Sequence, residues 1–213
     1  MTKVLILGAH GKIAQLTTKQ LLDETDATLT LFLRRASRLH VTDAARETVV
    51  EGDATSVPQL VAAMAGQDVV YANLAGHNIE AQARAVTAAM QESGVRRLIW
   101  ISTLGIYDEV PGEFGRWNHQ QLDGGYLETY AAAAKVIETA GLDETIIRPA
   151  WLSNQDVVRY ELTHRHDAFK GTEVSRKSIA DLVTKIIAKP DQYVHDSLGV
   201  NQPGTDGDKP SFY

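Results

Sequence analysis

The 213-residue sequence contains no cysteine, which excludes disulfides, thiol nucleophiles and cysteine-ligated metals. It has no apolar run near the roughly 20 residues that span a bilayer. Positive charge is not in excess. Lys and Arg total 21 against 27 Asp and Glu, a formal net charge of −6, so a nucleic-acid surface is not expected. No basic-plus-apolar leader precedes the first strand signal at residue 3, and a cytoplasmic protein is expected. There is no internal repeat and no low-complexity tract. His164 and His166 stand two apart, but no third ligand type lies nearby, so no metal site is expected. What is present is a 44% apolar chain, long enough for one domain over 1–213 with a small appendage.

The organising stretch is Lys3 to Ala14. Val4-Leu5-Ile6-Leu7 suits a strand buried on both faces. Gly8 follows at once, and a helical pattern begins near Gly11. A strand, a tight glycine turn and a helix N-terminus present backbone N–H groups and a positive helix end to a phosphate. Gly8 permits the turn, Gly11 removes a Cβ from the path of a pyrophosphate, and Ala14 lets helix and strand lie close. His10, Lys12 and Ile13 belong to the same candidate cradle. The spacing is G-x-x-G-x-x-A rather than G-x-G-x-x-G. An ordinary strand-to-helix turn, with glycine needed for backbone reasons only, is the plain alternative.

Strand and helix signals then alternate, which predicts an α/β fold with a doubly wound parallel sheet of about six to seven strands. The first helix covers about 11–22 and the second strand 28–33. That strand ends in Arg34 and Arg35, with Arg38 close behind. An acidic residue there would bond the 2′-hydroxyl of NAD; arginine suits a 2′-phosphate, so NADP is preferred over NAD. Lys12 adds positive charge in the turn, and the alternative is a solvated basic loop. A third strand, 48–51, runs into Gly52-Asp53-Ala54. Asp53 either faces an adenine edge or caps the helix that Pro58 opens. A fourth strand, 68–72, delivers Asn73, Leu74, Ala75 and Gly76 to the carboxyl edge, where ligands of such sheets bind. A helix over 79–93 stops at Gly94, and a fifth strand, 97–102, brings Ser102, Thr103, Gly105 and Tyr107 to the same edge.

Residues 108–125 read as a long loop. Its Phe114, Trp117 and His119, with Trp151 further on, either line a pocket for a flat acceptor or pin a surface loop. A helix over 126–140 and a sixth strand, 144–148, lead to Pro149. Residues from about 150 to 200 form a small extension on the substrate side. Within it, 157–163 alternates like a strand, and Ser175 N-caps a helix through Ala188. Residues 193–200 suggest an edge strand, with a surface tail from Asn201.

With these residues set out, the chain resembles the atypical short-chain dehydrogenase/reductases. The branch is that of single-domain, NmrA-like NAD(P)H-binding proteins related to the flavin-reducing biliverdin reductases. The resemblance covers nearly the whole chain. Gly8, Gly11 and Ala14 match the glycine turn, Arg34 the basic position of NADP-binding members, and Gly52-Asp53 the third-strand motif. Ser102-Thr103-Leu104-Gly105-Ile106-Tyr107 matches the serine-rich stretch. Lys135 with Glu138, and Ile146-Ile147-Arg148-Pro149, match the K-x-x-E and R-P segments. The resemblance implies that Thr103 takes the place of the catalytic serine or threonine and that Lys135 bonds the nicotinamide ribose, with Tyr107 approaching the same space. An exposed helix lysine is the alternative for Lys135. The chain departs from the pattern four residues before Lys135, where the proton-relaying tyrosine is replaced by Ala131.

The function implied is an NADPH-dependent reductase acting on a small conjugated acceptor, a flavin or quinone, which takes its proton from water. The alternative is a non-catalytic NAD(P)-binding redox sensor. A nucleotide-sugar epimerase or dehydratase fits less well, because such enzymes use the tyrosine and a larger C-terminal domain. The expected partner is a small molecule, with neither nucleic acid nor membrane, as monomer or dimer.

Overall fold

The computed structural model describes residues 1–213. Ten strands and six α-helices follow in chain order: β1 (Lys3–Leu7), α1 (Lys12–Glu24), β2 (Thr28–Leu33), β3 (Glu47–Glu51), α2 (Val57–Met64), β4 (Val69–Ala72), α3 (Ile79–Ser93) and β5 (Arg97–Ile101) come first. Then come α4 (Gly112–Leu122), α5 (Tyr126–Glu138), β6 (Asp143–Pro149), β7 (Trp151–Ser153), β8 (Glu161–Thr163), β9 (Glu173–Ser175), α6 (Arg176–Ala188) and β10 (Asp196–Asn201). Eight strands form one sheet in the order β3-β2-β1-β4-β5-β6-β10-β8, parallel except for β8 against β10. This is a doubly wound α/β sheet whose strand order reverses between β1 and β4, directly beside the glycine turn.

Period-two burial divides the core into two layers. Val4 and Ile6 of β1 and Ile99 and Ile101 of β5 face the layer under α1 and α6. Leu5, Leu7, Leu98 and Trp100 face the layer under α2, α3 and α5. Burial on both faces explains why these strands read as continuous apolar runs. Helix ends follow their local chemistry. Gly94 ends α3 in the left-handed region (φ 76°), and the Ser175 hydroxyl accepts from the Ser178 N–H at the start of α6.

The structure differs from the sequence reading in the second half. The sheet has eight strands rather than six or seven. The 108–125 stretch is not a continuous loop, because α4 occupies most of it. Phe114, Trp117 and Asn118 put a helical stripe inward, and Gly115 admits the Val110 carbonyl, which a Cβ would meet at 2.0 Å. Gly115 serves packing inside a helix, although in sequence it reads as a loop residue. Only Glu161–Thr163 of the alternating 157–163 segment is strand. β10 is interior, between β6 and β8, not an edge. The tail folds back as well: Pro210 is buried, and the Tyr213 ring meets Trp117 (5.2 Å) and Trp151 (5.0 Å) edge-on.

Candidate functional site

The glycine turn is built by close approach. Gly8 has φ +75°, and a Cβ there would lie 2.3 Å from the Asn73 carbonyl oxygen at the end of β4. A Cβ on Gly11 would lie 2.0 Å from Asn73 Nδ2. The two glycines therefore let β1, α1 and β4 converge at the reversal point of the sheet. Gly11 occupies the N-cap of α1 and offers no side-chain cap, so the first N–H groups of that helix remain free for a ligand oxygen.

A cleft of about 530 Å³ opens in front of this turn. Of the sequence-derived candidates, Gly8, His10, Gly11, Arg34, Arg35, Asp53, Ala54, Asn73, Leu74 and Ala75 line it. Lys12, Ile13, Gly76, Ser102, Lys135 and Pro149 do not. The reasons are local. Ile13 is buried in the core under α1, Pro149 lies inside β6, and Lys12 points into a different cavity on the far side of α1. Phe32, Leu33, Arg38, Gly52, Asn78 and Gln82 line the cleft in addition. Phe32 and Gly52 touch so closely that a Cβ on Gly52 would sit 2.5 Å from the ring. Gln82 lies a helical turn into α3 and donates to Asn78 Oδ1 (2.8 Å) and the Ala75 carbonyl (3.2 Å). Its contribution depends on the β4–α3 turn folding back, which no local signal in the sequence marks.

Charges of both signs follow the neighbouring strands β2 and β3. Arg34, Arg35 and Arg38 are exposed on one wall, and none forms an ion pair within hydrogen-bonding range of a carboxylate. Glu51 braces the turn that carries them by accepting from the Ala36 N–H (2.8 Å). Asp53 follows the adjacent strand β3. Its Oδ1 accepts from the N–H and hydroxyl of Thr55, both at 2.8 Å, which holds its carboxyl below the usual carboxylate range, with Arg34 helping at longer reach. Asp53 thus makes a turn with Thr55, while Ser56 is the N-cap residue of α2. Uncapped helix N–H groups, a turn that excludes Cβ atoms and arginines without counter-ions suit a dinucleotide with an extra phosphate.

Past the turn, Ser102 is buried at the end of β5, and its hydroxyl has no partner in the protein. A buried orphan hydroxyl beside a cleft is a ready contact for a bound polar molecule. Thr103 is buried next to it, and the phenol of Tyr126 reaches toward Thr103 and Tyr130. The Tyr126 and Tyr130 rings stack at 4.4 Å; Tyr126 is exposed at its edge, and partial desolvation of its phenol, then Tyr130, pushes that phenol up. Tyr126, at the first position of α5, was not among the sequence candidates. Its approach to Thr103 is set by where α4 delivers that helix.

Tyr107 does not join this group. Its hydroxyl donates to Glu138 Oε1 (2.5 Å) and meets Ser197 Oγ (3.2 Å), and its ring lies between Arg165 (4.5 Å) and Arg148 (5.1 Å). Glu138 is about 18 Å along α5 from Tyr126 by helix rise. Burial and the Glu138 carboxylate push the Tyr107 phenol up. Lys135 is exposed on the same helix. The aromatic expectations also change. Trp117 and Trp151 pack on each other (4.8 Å), and the Trp151 indole N–H donates to Asn118 Oδ1 (3.0 Å). His119 bonds Asp123 (2.9 Å) and Asp108 (3.2 Å) at the surface, which raises its pKa. These three side chains secure α4 rather than line the cleft.

The fold and cleft together define a dinucleotide-binding α/β protein. The chain belongs to the NAD(P)H-binding family, whose profile matches residues 8–190. A Rossmann-fold NAD(P)-binding family protein from Shigella flexneri is 44% identical, with a TM-score of 0.86 over 100% of both chains. A short-chain dehydrogenase/reductase from Veillonella parvula DSM 2008, solved in complex with NADP, is 31% identical, with a TM-score of 0.93 over 99% of each chain. Among sequence relatives, a protein of Bacillus subtilis (strain 168) described as the uncharacterized sugar epimerase YhfK is 26% identical over 220 residues, 98% of this chain and 96% of the relative. The fold is thus of the NAD(P)H-binding oxidoreductase type. No helix is long and apolar enough to cross a membrane.

Proposed function

We propose that this protein is an NADPH-dependent reductase of a small conjugated acceptor such as a flavin or quinone, working in the cytoplasm without a nucleic-acid or membrane partner. The observation that carries the reading is the cleft that runs from the uncapped N-terminus of α1 to three arginines without carboxylate partners. NADPH, when bound, supplies a hydride, so the acceptor gains two electrons and one hydrogen and takes a proton from water. The chain's own residues bind and orient. The N–H groups at the start of α1 would hold a diphosphate, Arg34 and Arg35 would hold a 2′-phosphate, and Ser102 and Thr103 would offer hydroxyls to the nicotinamide side. A flat acceptor spreads the incoming charge over its rings, so the chemistry does not require a tyrosine at position 131. The similarity to the NADP-bound Veillonella protein supports the choice of cofactor.

The second reading, a redox sensor that binds NAD(P) and turns nothing over, is favoured by Ala131 and by the commitment of Tyr107 to Glu138. The name carried by the Bacillus relative suggests an epimerase, but Ala131 stands where such an enzyme's tyrosine is expected, four residues before Lys135. Titration with NADPH and NADH by nicotinamide fluorescence, followed by a flavin and a quinone, separates the readings. Acceptor-dependent loss of NADPH absorbance is the expected result. Binding without oxidation across an acceptor panel means a sensor, and no binding of either nucleotide removes both.

A further inference from the structure

A second cavity, about 360 Å³, opens between the first turns of α1 and α6. Its cations are Lys12, Arg176 and Lys177; its one acid is Asp156. Lys177 pairs with Asp156 at 2.6 Å. Arg176 is half-buried and has no carboxylate partner. Its Nη1 donates to the Leu152 carbonyl (3.0 Å) and Asn154 Oδ1 (2.8 Å), and its remaining N–H groups are left for the cavity. Desolvation pulls its pKa down, and no acidic neighbour opposes the shift.

The other buried arginines are treated differently. Arg148 pairs with Glu109, and Arg97 donates to Leu98 O, Asp143 O, Thr145 Oγ1 and Gln192 O. Arg176 has two neutral acceptors, both on Nη1, and an anion entering the cavity would meet its remaining N–H groups. The position of Arg176 is a consequence of the small sheet. The parallel β7–β9 pair sets Ser153 beside Ser175, so Asn154 and Arg176 leave the strand ends side by side. Lys12, the first residue of α1, lines this cavity and not the cleft that holds Arg34. In the reductase reading, the cofactor's phosphates lie at the glycine turn and at Arg34, and neither needs Arg176.

We infer that this cavity is the phosphate subsite of the acceptor, with Arg176 as its anchor and Lys12 and Lys177 adding positive potential. The inference rests on the reductase reading and narrows the acceptor to a conjugated ring system that bears a phosphate. Guanidinium and phosphate match through paired N–H···O bonds, which a neutral acceptor cannot form. Flavin mononucleotide and riboflavin share the ring and differ by that phosphate.

The test is flavin binding, read by flavin fluorescence on the whole chain in the presence of NADP. Flavin mononucleotide is expected to bind at least about tenfold more tightly than riboflavin. Arg176→Gln should abolish that difference, Arg176→Lys should keep most of it, and the NADPH dissociation constant should be the same in all three proteins. Equal binding of the two flavins by the natural chain overturns the inference, and this arm needs no variant to fold. So does a loss of NADPH affinity in Arg176→Gln as large as the loss for flavin mononucleotide, because the anion would then belong to the cofactor. Tight, Arg176-dependent binding of flavin mononucleotide without NADPH oxidation upholds the subsite and overturns the reductase reading instead.

Discussion

At the residue scale, Gly8 and Gly11 serve the same turn for different reasons, and their substitutions separate. Alanine at Gly8 must adopt φ +75° and meets a backbone oxygen. Gly8→Ala is expected to destabilise the fold by at least about 1–3 kcal/mol, measured by urea unfolding. Alanine at Gly11 meets the Asn73 side chain, which can turn away into the cleft. Gly11→Ala should keep near-native stability and weaken NADPH binding severalfold. Arg34→Ala should weaken NADPH about tenfold, the equivalent of ~1.4 kcal/mol, and leave NADH within twofold, because only the former carries the 2′-phosphate. A fluorescence titration of the purified variants checks both. His119 belongs to this scale too. Its two ring nitrogens face Asp123 and Asp108, so the doubly protonated form is favoured and its folded pKa lies above the ordinary 6.5. The stability it lends the end of α4 is fully present below pH 6.5 and is lost as pH rises through the folded pKa. An NMR titration should place its midpoint above 6.5, and Asp123→Asn should lower it.

At the scale of elements, the β5–α4 connection is held by one buried carboxylate. Glu109 accepts from the Gly105 and Tyr107 N–H groups, both at 3.0 Å, and pairs with the fully buried Arg148 of β6. Removing that carboxylate's charge leaves a guanidinium in the core without a counter-ion. Glu109→Gln should cost about 3 kcal/mol in chemical denaturation, far more than loss of an exposed pair such as Arg84–Glu80. The K-x-x-E and R-P segments thereby acquire a structural meaning. Arg148 meets Glu109, and Glu138 meets Tyr107 and Arg165, so both acids organise a region around a separate pocket lined by Tyr107, Glu109 and Arg165. From sequence, Tyr107 was legible as a residue delivered by β5, but not as one drawn away to α5. That outcome depends on Glu138 of α5, Arg165 of the β8–β9 connection and Ser197 of β10, all later in the chain.

At the scale of the molecule, the C-terminal third is built into the sheet rather than appended to it. β10 pairs with β6 inside the sheet, one strand from its edge, α6 packs on α1, and Tyr213 closes over Trp117 and Trp151. Two of the three tryptophans therefore report on contacts between distant parts of the chain. Urea unfolding should give coincident transitions by tryptophan fluorescence and far-ultraviolet circular dichroism, as one cooperative unit requires. Two separated transitions would mean that the region after β6 folds independently.

Local chemistry alone determined the first half of this protein. The apolar run into Gly8, the arginines after β2 and the turn after β4 each depend on neighbouring residues, because a strand, a positive φ or an N-cap is a property of a short segment. Those signals placed ten of the cleft residues. Tertiary structure decided the rest. α4 forms around Gly115, whose missing Cβ admits the Val110 carbonyl, and Gln82 reaches the cleft only when its turn folds back. Tyr107 goes to Glu138 rather than to Thr103, and Arg176 stands beside Lys12 because two three-residue strands pair in parallel. Each of these outcomes is a choice between partners far apart in the chain, and such choices are settled by burial and charge compensation in the folded molecule.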